Sequence, residues 1–366
     1  MNRYFLYLVF VNMVANMVAS VPKILLKERM DGVILSMLLS IITGMIVVYA
    51  FMRFFQLFPG QGLPELMKGY LPKWFTYPYL ILTAILWYVA GFITLITYTF
   101  LLKRFLTPNM PLIWIVAIIL FFISYGVLMK TERVLYTVEI VLLCTIPLIL
   151  FMIFKAFATK DFEWDFVMEA VMYIQKFPNY NAYTASLYLF LGSANIIIFN
   201  RVFSKTHLKN ALVLFIVAIT GTLILLTTFF VPIGINGFEN VETLVYPAVS
   251  TADSLRMPYG IIERILYLFL MFFLAITFLS LIIHWHVSME LLKSVFSMKN
   301  FTWKNKNLTP YIFLVIFWIV GIVLVMYLTE YQLVIYTGYF FKQLPFIFAF
   351  MFLLFLIIKR KAVAMK

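Results

Sequence analysis

Long runs of apolar residues, separated by short polar stretches, occupy most of this 366-residue chain. A run of about 20 apolar residues is long enough to cross a bilayer as an α-helix. We therefore predict ten membrane-spanning helices, at about 4–26, 32–52, 78–102, 111–129, 135–157, 183–203, 209–233, 260–285, 308–329 and 333–358. The pattern predicts an all-α integral membrane protein in which residues 1–366 form a single polytopic membrane domain.

Shorter helices are predicted between the spans, where apolar residues recur on one helical face. These residues are Leu63, Leu66, Met67, Tyr70 and Leu71 after the second span, and Trp164, Val167, Met168 and Val171 before the sixth. The first of these helices should lie in the membrane interface. A third loop, at about 234–260, is rich in Gly, Pro and hydroxyl residues. It either covers the bundle surface or caps an outer vestibule.

Composition agrees with a membrane protein, because 64% of the residues are hydrophobic, 12% are charged and the mean hydropathy is +1.02. The net charge of +13 is unevenly distributed. Lys and Arg concentrate in the loops on the side of both termini, and the acids concentrate on the other side. The positive-inside rule then predicts cytoplasmic N- and C-termini. We attribute the positive charge to contact with anionic lipid rather than nucleic acid.

Catalytic and metal-binding patterns are not recognised in the sequence. The single cysteine, Cys144, lies in an apolar run and offers neither a disulfide nor a thiolate metal site. His284 and His286 point to different faces of one helix, and we interpret them as interfacial anchors. No phosphate-binding loop is present. We expect no enzyme activity, no metal and no cofactor.

Ionisable residues within the apolar runs are few, namely Glu139, Glu263 and Lys342. Each is close enough to an interface to snorkel or to pair locally. The middle of the membrane has no carboxylate in this assignment of spans. This counts against ion-coupled pumping, although hydroxyls and carbonyls could still bind sodium.

Polar residues interrupt two of the predicted spans. Asn12, Asn16 and Ser20 lie four apart on one face of the first span, and Pro22 follows. The sixth span contains Gly192-Ser193-Ala194-Asn195. Such residues are tolerated in a membrane where they meet protein, water or a ligand. Two interrupted spans, one opening each half of a chain, are typical of a transporter binding site.

A pocket for a zwitterion such as an amino acid follows from these two breaks. Backbone N–H groups around Ala15–Met17 would bind a carboxylate, and carbonyls around Gly192–Asn195 would bind an ammonium group. The third span would supply a wall. The candidate ligand-binding residues are Ala15, Asn16, Met17, Ser20, Tyr88, Gly91, Thr94, Gly192, Ser193 and Asn195. The alternative is that the Asn and Ser side chains only join helices by interhelical hydrogen bonds.

Several short motifs, in order along the chain, carry a family resemblance. They are Phe58-Pro59-Gly60-Gln61, Thr107-Pro108, Tyr125-Gly126 with Glu132 and Glu139, and Tyr246-Pro247 ahead of Ile262-Glu263-Arg264. With them the chain resembles the B subunit of spore germinant receptors, the spore-permease family within the amino acid–polyamine–organocation superfamily. The resemblance covers most of the chain.

The resemblance implies a five-plus-five inverted-repeat fold, with repeat one at about 1–157, repeat two at about 183–358, and spans 1 and 6 broken at a central site. It also implies residence in the spore inner membrane beside a receptor A subunit and a lipoprotein C subunit. The function implied is sensing of a small-molecule germinant. Relatives usually have a glycine-rich break in span 1. Here either asparagine supplies the break or the span is less unwound.

Two other functions remain open. One is an amino acid permease, a secondary transporter that moves its solute across the membrane. The other is a structural subunit that stabilises its partners and has no ligand of its own.

Overall fold

The computed structural model describes residues 3–203, 210–256, 263–296, 302–303 and 306–365. The first half of the chain is helical. Its helices are α1 (Arg3–Val18), α2 (Ser20–Lys27), α3 (Val33–Phe55), α4 (Leu63–Tyr70), α5 (Lys73–Phe105), α6 (Leu112–Val127), α7 (Thr131–Phe157) and α8 (Trp164–Val171), the last followed by a 3-10 turn, Met172–Gln175. Ile262, in the last of the family motifs, lies outside the described residues.

The second half begins with one segment of mixed helix type. It consists of α9 (Tyr180–Tyr188), a 3-10 helix (Leu189–Asn195) and α10 (Ile196–Phe199). The remaining elements are α11 (Asn210–Asn236), a 3-10 turn (Asn240–Thr243), α12 (Pro247–Ser254), α13 (Ile265–Val295), α14 (Thr309–Tyr327) and α15 (Glu330–Ala364). A two-stranded antiparallel hairpin, β1 (Thr302–Trp303) and β2 (Lys306–Asn307), precedes α14.

The prediction of an all-helical integral membrane protein is confirmed. Within the described residues, eight helices or helical segments are long and apolar enough to cross a membrane, and α1 with α2 adds a further segment that bends by 57°. Helix α6 is apolar but has only 16 residues. At about 1.5 Å per residue it spans about 24 Å, which is less than the roughly 30 Å of hydrocarbon in a typical bilayer.

The two interrupted segments form the centre of the bundle. The most apolar stretch of Tyr180–Phe199 is 94% buried, whereas the corresponding stretches of α7 and α14 are each 28% buried. Helix α1 packs along this central segment and is itself buried from Val11 to Val18. The polar residues in both segments therefore face protein rather than lipid.

The short helices follow the sequence prediction. Helix α4 buries Leu63, Leu66 and Met67, and it starts with the Glu65 carboxylate accepting a hydrogen bond of 2.9 Å from the Gly62 backbone N–H. Helix α8 forms where predicted, but of its predicted apolar face it buries Val167 and leaves Trp164 and Met168 exposed. The interfacial residues were predicted less well. Glu139 does pair locally, with Arg3 at 2.6 Å, but Glu263 is exposed and precedes α13 instead of lying inside it.

Charged side chains join the helices on the side of the bundle that contains α4, the α4 face. Arg201, just after α10, contacts Glu65 of α4 at 2.7 Å and Glu290 of α13 at 2.8 Å. The neighbouring Asn200 amide donates to the Phe58 and Gln61 carbonyls at 2.7 and 2.8 Å. The end of the central segment is thus fixed to two other elements.

A second charged contact closes the opposite face. The buried Arg29 guanidinium, just beyond α2, binds the Glu242 carboxylate at 2.6 Å and lies 5.2 Å from the centre of the Phe238 ring. The same hydrogen bond holds the pKa of Glu242 below its ordinary value. Lys23 donates to the Glu242 carbonyl at 2.5 Å. The loop after α11 is therefore fastened over α2, as expected for a cap.

Replacing Arg201 should destabilise the α4 face. In Arg201→Ala, Glu290 keeps only Lys293 as its ionic partner, and its side chain is 17% exposed. We expect a loss of about 2 kcal/mol, less than for a fully buried pair because water reaches Arg201. The measurement is the melting temperature of the purified protein in detergent. The control is Arg104→Ala, since Arg104 is 50% exposed in its pair with Glu330 and should contribute less than about 1 kcal/mol. Equal melting temperatures for the two variants would contradict this prediction.

Candidate functional site

The first span is broken, but at a different residue from the one predicted. Helix α1 continues through Ala15, Asn16 and Met17 to Val18, and the chain turns at Ala19, which has φ −70° and ψ −135°. The prediction that Ala15–Met17 is unwound was therefore wrong. Pro22 lies in the first turn of α2, where its missing N–H would have had no intrahelical acceptor. Because Pro22 lies in the first turn, it does not prevent α2 from beginning as a helix directly after the bend.

The sixth span is not broken. Its centre tightens from α to 3-10 helix over Leu189–Asn195, and the whole of Tyr180–Phe199 remains one span. The expected break at Gly192–Asn195 is thus a change of helix type. A 3-10 stretch within a helix has poorer hydrogen-bond geometry and often marks a hinge.

Asparagine side chains join the two central segments. The Asn12 amide nitrogen donates to the Tyr188 carbonyl at 2.7 Å and to the Leu189 carbonyl at 3.1 Å, where α9 passes into the 3-10 helix. Asn16 in turn donates to the Asn12 carbonyl at 2.7 Å and to its side-chain oxygen at 3.2 Å, which fixes the orientation of the Asn12 amide. We call this contact of α1 with Leu189–Asn195 the central joint.

Carbonyl groups of the 3-10 helix are bound by the protein's own side chains. Ser193 donates to the Phe190 carbonyl at 3.0 Å, and Asn195 donates to the Gly192 carbonyl at 3.1 Å. Of the carbonyls predicted to bind an ammonium group, that of Gly192 therefore already has a side-chain donor. In this state, side chains of the 3-10 helix donate to carbonyls of the same helix.

Gly192 allows α1 to approach the 3-10 helix closely. A Cβ atom at this position would lie 2.6 Å from Cβ of Asn12 and 2.7 Å from the Leu8 carbonyl oxygen. Both distances are shorter than real contacts allow. The glycine is thus required by packing across the central joint.

A small cavity with one polar wall lies beside the central joint. Its volume is about 30 Å³, room for about two water molecules. Its polar wall consists of Asn12, Trp87, Asn195 and His284, and its apolar wall is completed by Leu86, Ala90, Tyr188, Leu191, Phe340, Leu344, Ile347 and Phe348. The Trp87 indole donates to the Asn195 side-chain oxygen at 2.7 Å. An amino acid is too large for this cavity without movement of the surrounding helices.

His284 and His286 are buried, contrary to the prediction of interfacial anchors. His284 is 6% exposed and His286 is 1% exposed. Nδ1 of His284 lies 2.7 Å from the Ser280 carbonyl oxygen, a contact that requires the proton on Nδ1. Nε2 of His284 is then an acceptor beside the cavity. His286 instead bridges the Val127 carbonyl and the Thr131 hydroxyl.

The predicted residues of the third span face away from the cavity. Tyr88 donates to the Phe317 carbonyl at 3.0 Å, a Cβ on Gly91 would meet the Trp285 ring at 2.5 Å, and Thr94 donates to the Ala90 carbonyl. The wall of the cavity is formed by Trp87 and Ala90, one residue earlier. Trp87 and Ala90 are three residues apart, as are Tyr88 and Gly91. Nothing in the sequence showed which of the two pairs faces the cavity.

The other predicted site residues have different positions. Asn195 lines the cavity, Asn16 reaches it only through Asn12, and Met17 lines a separate apolar cavity of about 50 Å³ beside α7, α11, α12 and α13. Ala15, Ser20 and Ser193 are buried in the two central segments. Among the described residues, no group of three or more His, Cys, Asp or Glu side chains could hold a metal ion.

A family model for spore germination proteins, the spore permeases, matches residues 2–334, nearly the whole chain. The chain belongs to the spore-permease family. Its resemblance to that family, inferred from the short motifs, is confirmed. This spore permease is a germination-related integral membrane protein of a receptor- or transporter-like family, not of an enzyme family. No curated protein matches it.

Enlarging Gly192 should loosen the central joint. Gly192→Ala places a methyl group against Asn12 and the Leu8 carbonyl, so α1 must shift, at a cost of about 1–3 kcal/mol. The readout is the melting temperature in detergent. Gly69→Ala is the matched control, because a Cβ at Gly69 has no heavy atom within 4 Å. It should melt at or above the wild-type temperature. A wild-type melting temperature for Gly192→Ala would show that the packing across the joint is looser than described.

Proposed function

We propose that this spore permease is the membrane subunit of a germinant receptor and senses a small germinant in the cavity beside the central joint. The germinant is an amino acid or a similar zwitterion. The observation that carries the proposal is the convergence of Asn12, Trp87, Asn195 and His284 on one wall of a cavity at the centre of the bundle. Buried polar groups in a membrane are costly, so their convergence indicates a function.

Sensing works by a population shift between a closed and an open cavity. The closed state is the one in which Asn12 binds the Tyr188 and Leu189 carbonyls. A germinant ammonium group competes for these carbonyls and for the acceptor Nε2 of His284. Binding therefore favours a state in which α1 has moved from the 3-10 helix. A ligand shifts the equilibrium only by its difference in affinity for the two states.

Partner subunits detect this movement. In the proposed assembly, the protein lies in the spore inner membrane beside a receptor A subunit and a lipoprotein C subunit. Its α4 face and both termini are cytoplasmic. Ten spans form two inverted repeats of five, with α6 as a short fourth span. The family match supports this arrangement, as does the position of the two interrupted segments at the centre of the bundle.

An amino acid permease is the second candidate. It is favoured by the charged contacts that close both faces, Arg201 with Glu65 and Glu290 on one side and Arg29 with Glu242 on the other. A carrier must open such closures alternately. Uptake of labelled amino acid into vesicles that contain only this chain would favour the carrier over the sensor.

The test of sensing is dipicolinate release from spores in which this chain is the only B subunit, present with its cognate partners. The spores are exposed to a panel of amino acids, sugars and nucleosides. We expect His284→Leu and Asn195→Leu to raise the concentration for half-maximal release by at least about tenfold, because each removes a hydrogen-bonding group from the ligand site.

Thr94→Val is the matched control in the same spores. Thr94 lies on α5 but bonds its own helix, so this variant should keep the wild-type dose response. Immunoblots confirm equal amounts of all variants. An unchanged dose response in both cavity variants would reject the cavity as the sensing site. No release with any compound, with all subunits present, would reject sensing itself.

A further inference from the structure

A third cavity opens on the face opposite α4. It has a volume of about 190 Å³, several times that of the central cavity. It lies between the end of α2, the start of α9 and the first half of α15. Its lining consists of Ile24, Lys27, Glu28, Asn181, Val334, Ile335, Gly338, Tyr339 and Lys342. We call it the outer crevice.

Two lysines, Lys27 and Lys342, line the outer crevice, and neither forms an ion pair with a carboxylate among the described residues. Glu242, the carboxylate on the neighbouring loop, is bound by Arg29. Lys342 lies 5.5 Å from the centre of the Tyr339 ring. A lysine in an apolar helix without an ionic partner is costly, so a ligand anion is its natural complement.

The carboxylate of Glu28 is held in place by amides. One oxygen accepts from the Asn179 side chain at 3.0 Å, and the other accepts from Asn181 at 2.8 Å. Both donors are neutral, and a carboxylate has about four acceptor positions. The Glu28 carboxylate, which lines the crevice, therefore has acceptor positions left for a further hydrogen bond.

An apolar wall completes the site. Ile24, Val334 and Ile335 line the crevice beside the charged groups. Gly338 leaves this wall open, because a Cβ there would have no heavy atom within 4 Å. The crevice thus presents two cations, one anion and an apolar surface.

We propose that the outer crevice binds a small zwitterion with an apolar side chain. The ligand carboxylate lies between Lys27 and Lys342, its ammonium group pairs with Glu28, and its side chain packs on Ile24, Val334 and Ile335. This site is separate from the central cavity, and the proposal does not rest on germinant sensing.

Calorimetric titration of the full chain in nanodiscs of neutral phosphatidylcholine tests the proposal. The probes are alanine, valine, leucine and phenylalanine. For the best of them, Lys342→Gln and Glu28→Gln should each weaken binding by at least about tenfold, the effect of losing one charged hydrogen bond. Removing the ammonium or the carboxylate group from the probe should have the same effect, as tested with 4-methylpentanoate and 3-methylbutylamine.

Two control variants separate this site from its alternatives. Lys160→Gln removes an exposed positive charge outside the crevice and should bind as wild type. His284→Leu alters the central cavity and should leave crevice binding unchanged. If only His284→Leu weakens binding, the probe occupies the central cavity and the crevice proposal fails while the proposed function stands.

Other results would also overturn the proposal. Binding of none of the four amino acids would do so. Nanodiscs that contain phosphatidylglycerol test a lipid headgroup as the source of the anion. Stabilisation by this lipid that Lys342→Gln abolishes, with no amino acid bound, would assign the two lysines to lipid instead.

Discussion

The structure depends on how a buried asparagine amide at the centre of a membrane bundle obtains hydrogen-bond partners. Where α9 passes into the 3-10 helix, Asn12 of α1 donates to two backbone carbonyls. In the membrane interior no water is available to the Asn12 amide instead. The helix that carries Asn12 must therefore stay within hydrogen-bond distance of the central segment, and Gly192 makes this approach possible. The hydrogen bonds of Asn12 and the close packing at Gly192 both require α1 to lie against the 3-10 helix.

That constraint explains why the central cavity is small although polar side chains form one of its walls. Asn12 and Asn195 both hydrogen bond to the protein, which stabilises the closed state without a ligand. A ligand can open the cavity only by replacing these bonds with equally good ones. An apolar molecule cannot do so, whereas an ammonium group can. Specificity thus follows from the bonds that must be exchanged.

Hydropathy alone predicted most of the fold and much less of the site. The runs that predicted the spans are long and strongly apolar, and the amphipathic residues Leu63, Leu66 and Met67 located α4. Helix α5, however, has apolar residues on nearly all sides, so its sequence did not show whether Trp87 or Tyr88 faces the centre. The break at Ala19 and the burial of His284 depend on neighbouring helices that are distant in sequence. Asn195 was among the predicted site residues because an amide within a span needs a partner, whereas Asn12 was noted only as a polar residue of the first span.

The two interrupted segments contact each other at two places, at the centre of the bundle and at the end of α2. Asn12 joins α1 to the 3-10 helix at the centre of the bundle, and Glu28, just after α2, accepts hydrogen bonds from Asn179 and Asn181 at the start of α9. A bend at Ala19 lies between these attachments. If the central joint opens while the Glu28 contacts hold, α1 must pivot at Ala19 relative to α2. Lys23 and Arg29 hold the same end of the span through Glu242. In the proposed sensing mechanism, these outer contacts therefore keep α2 in place while α1 moves.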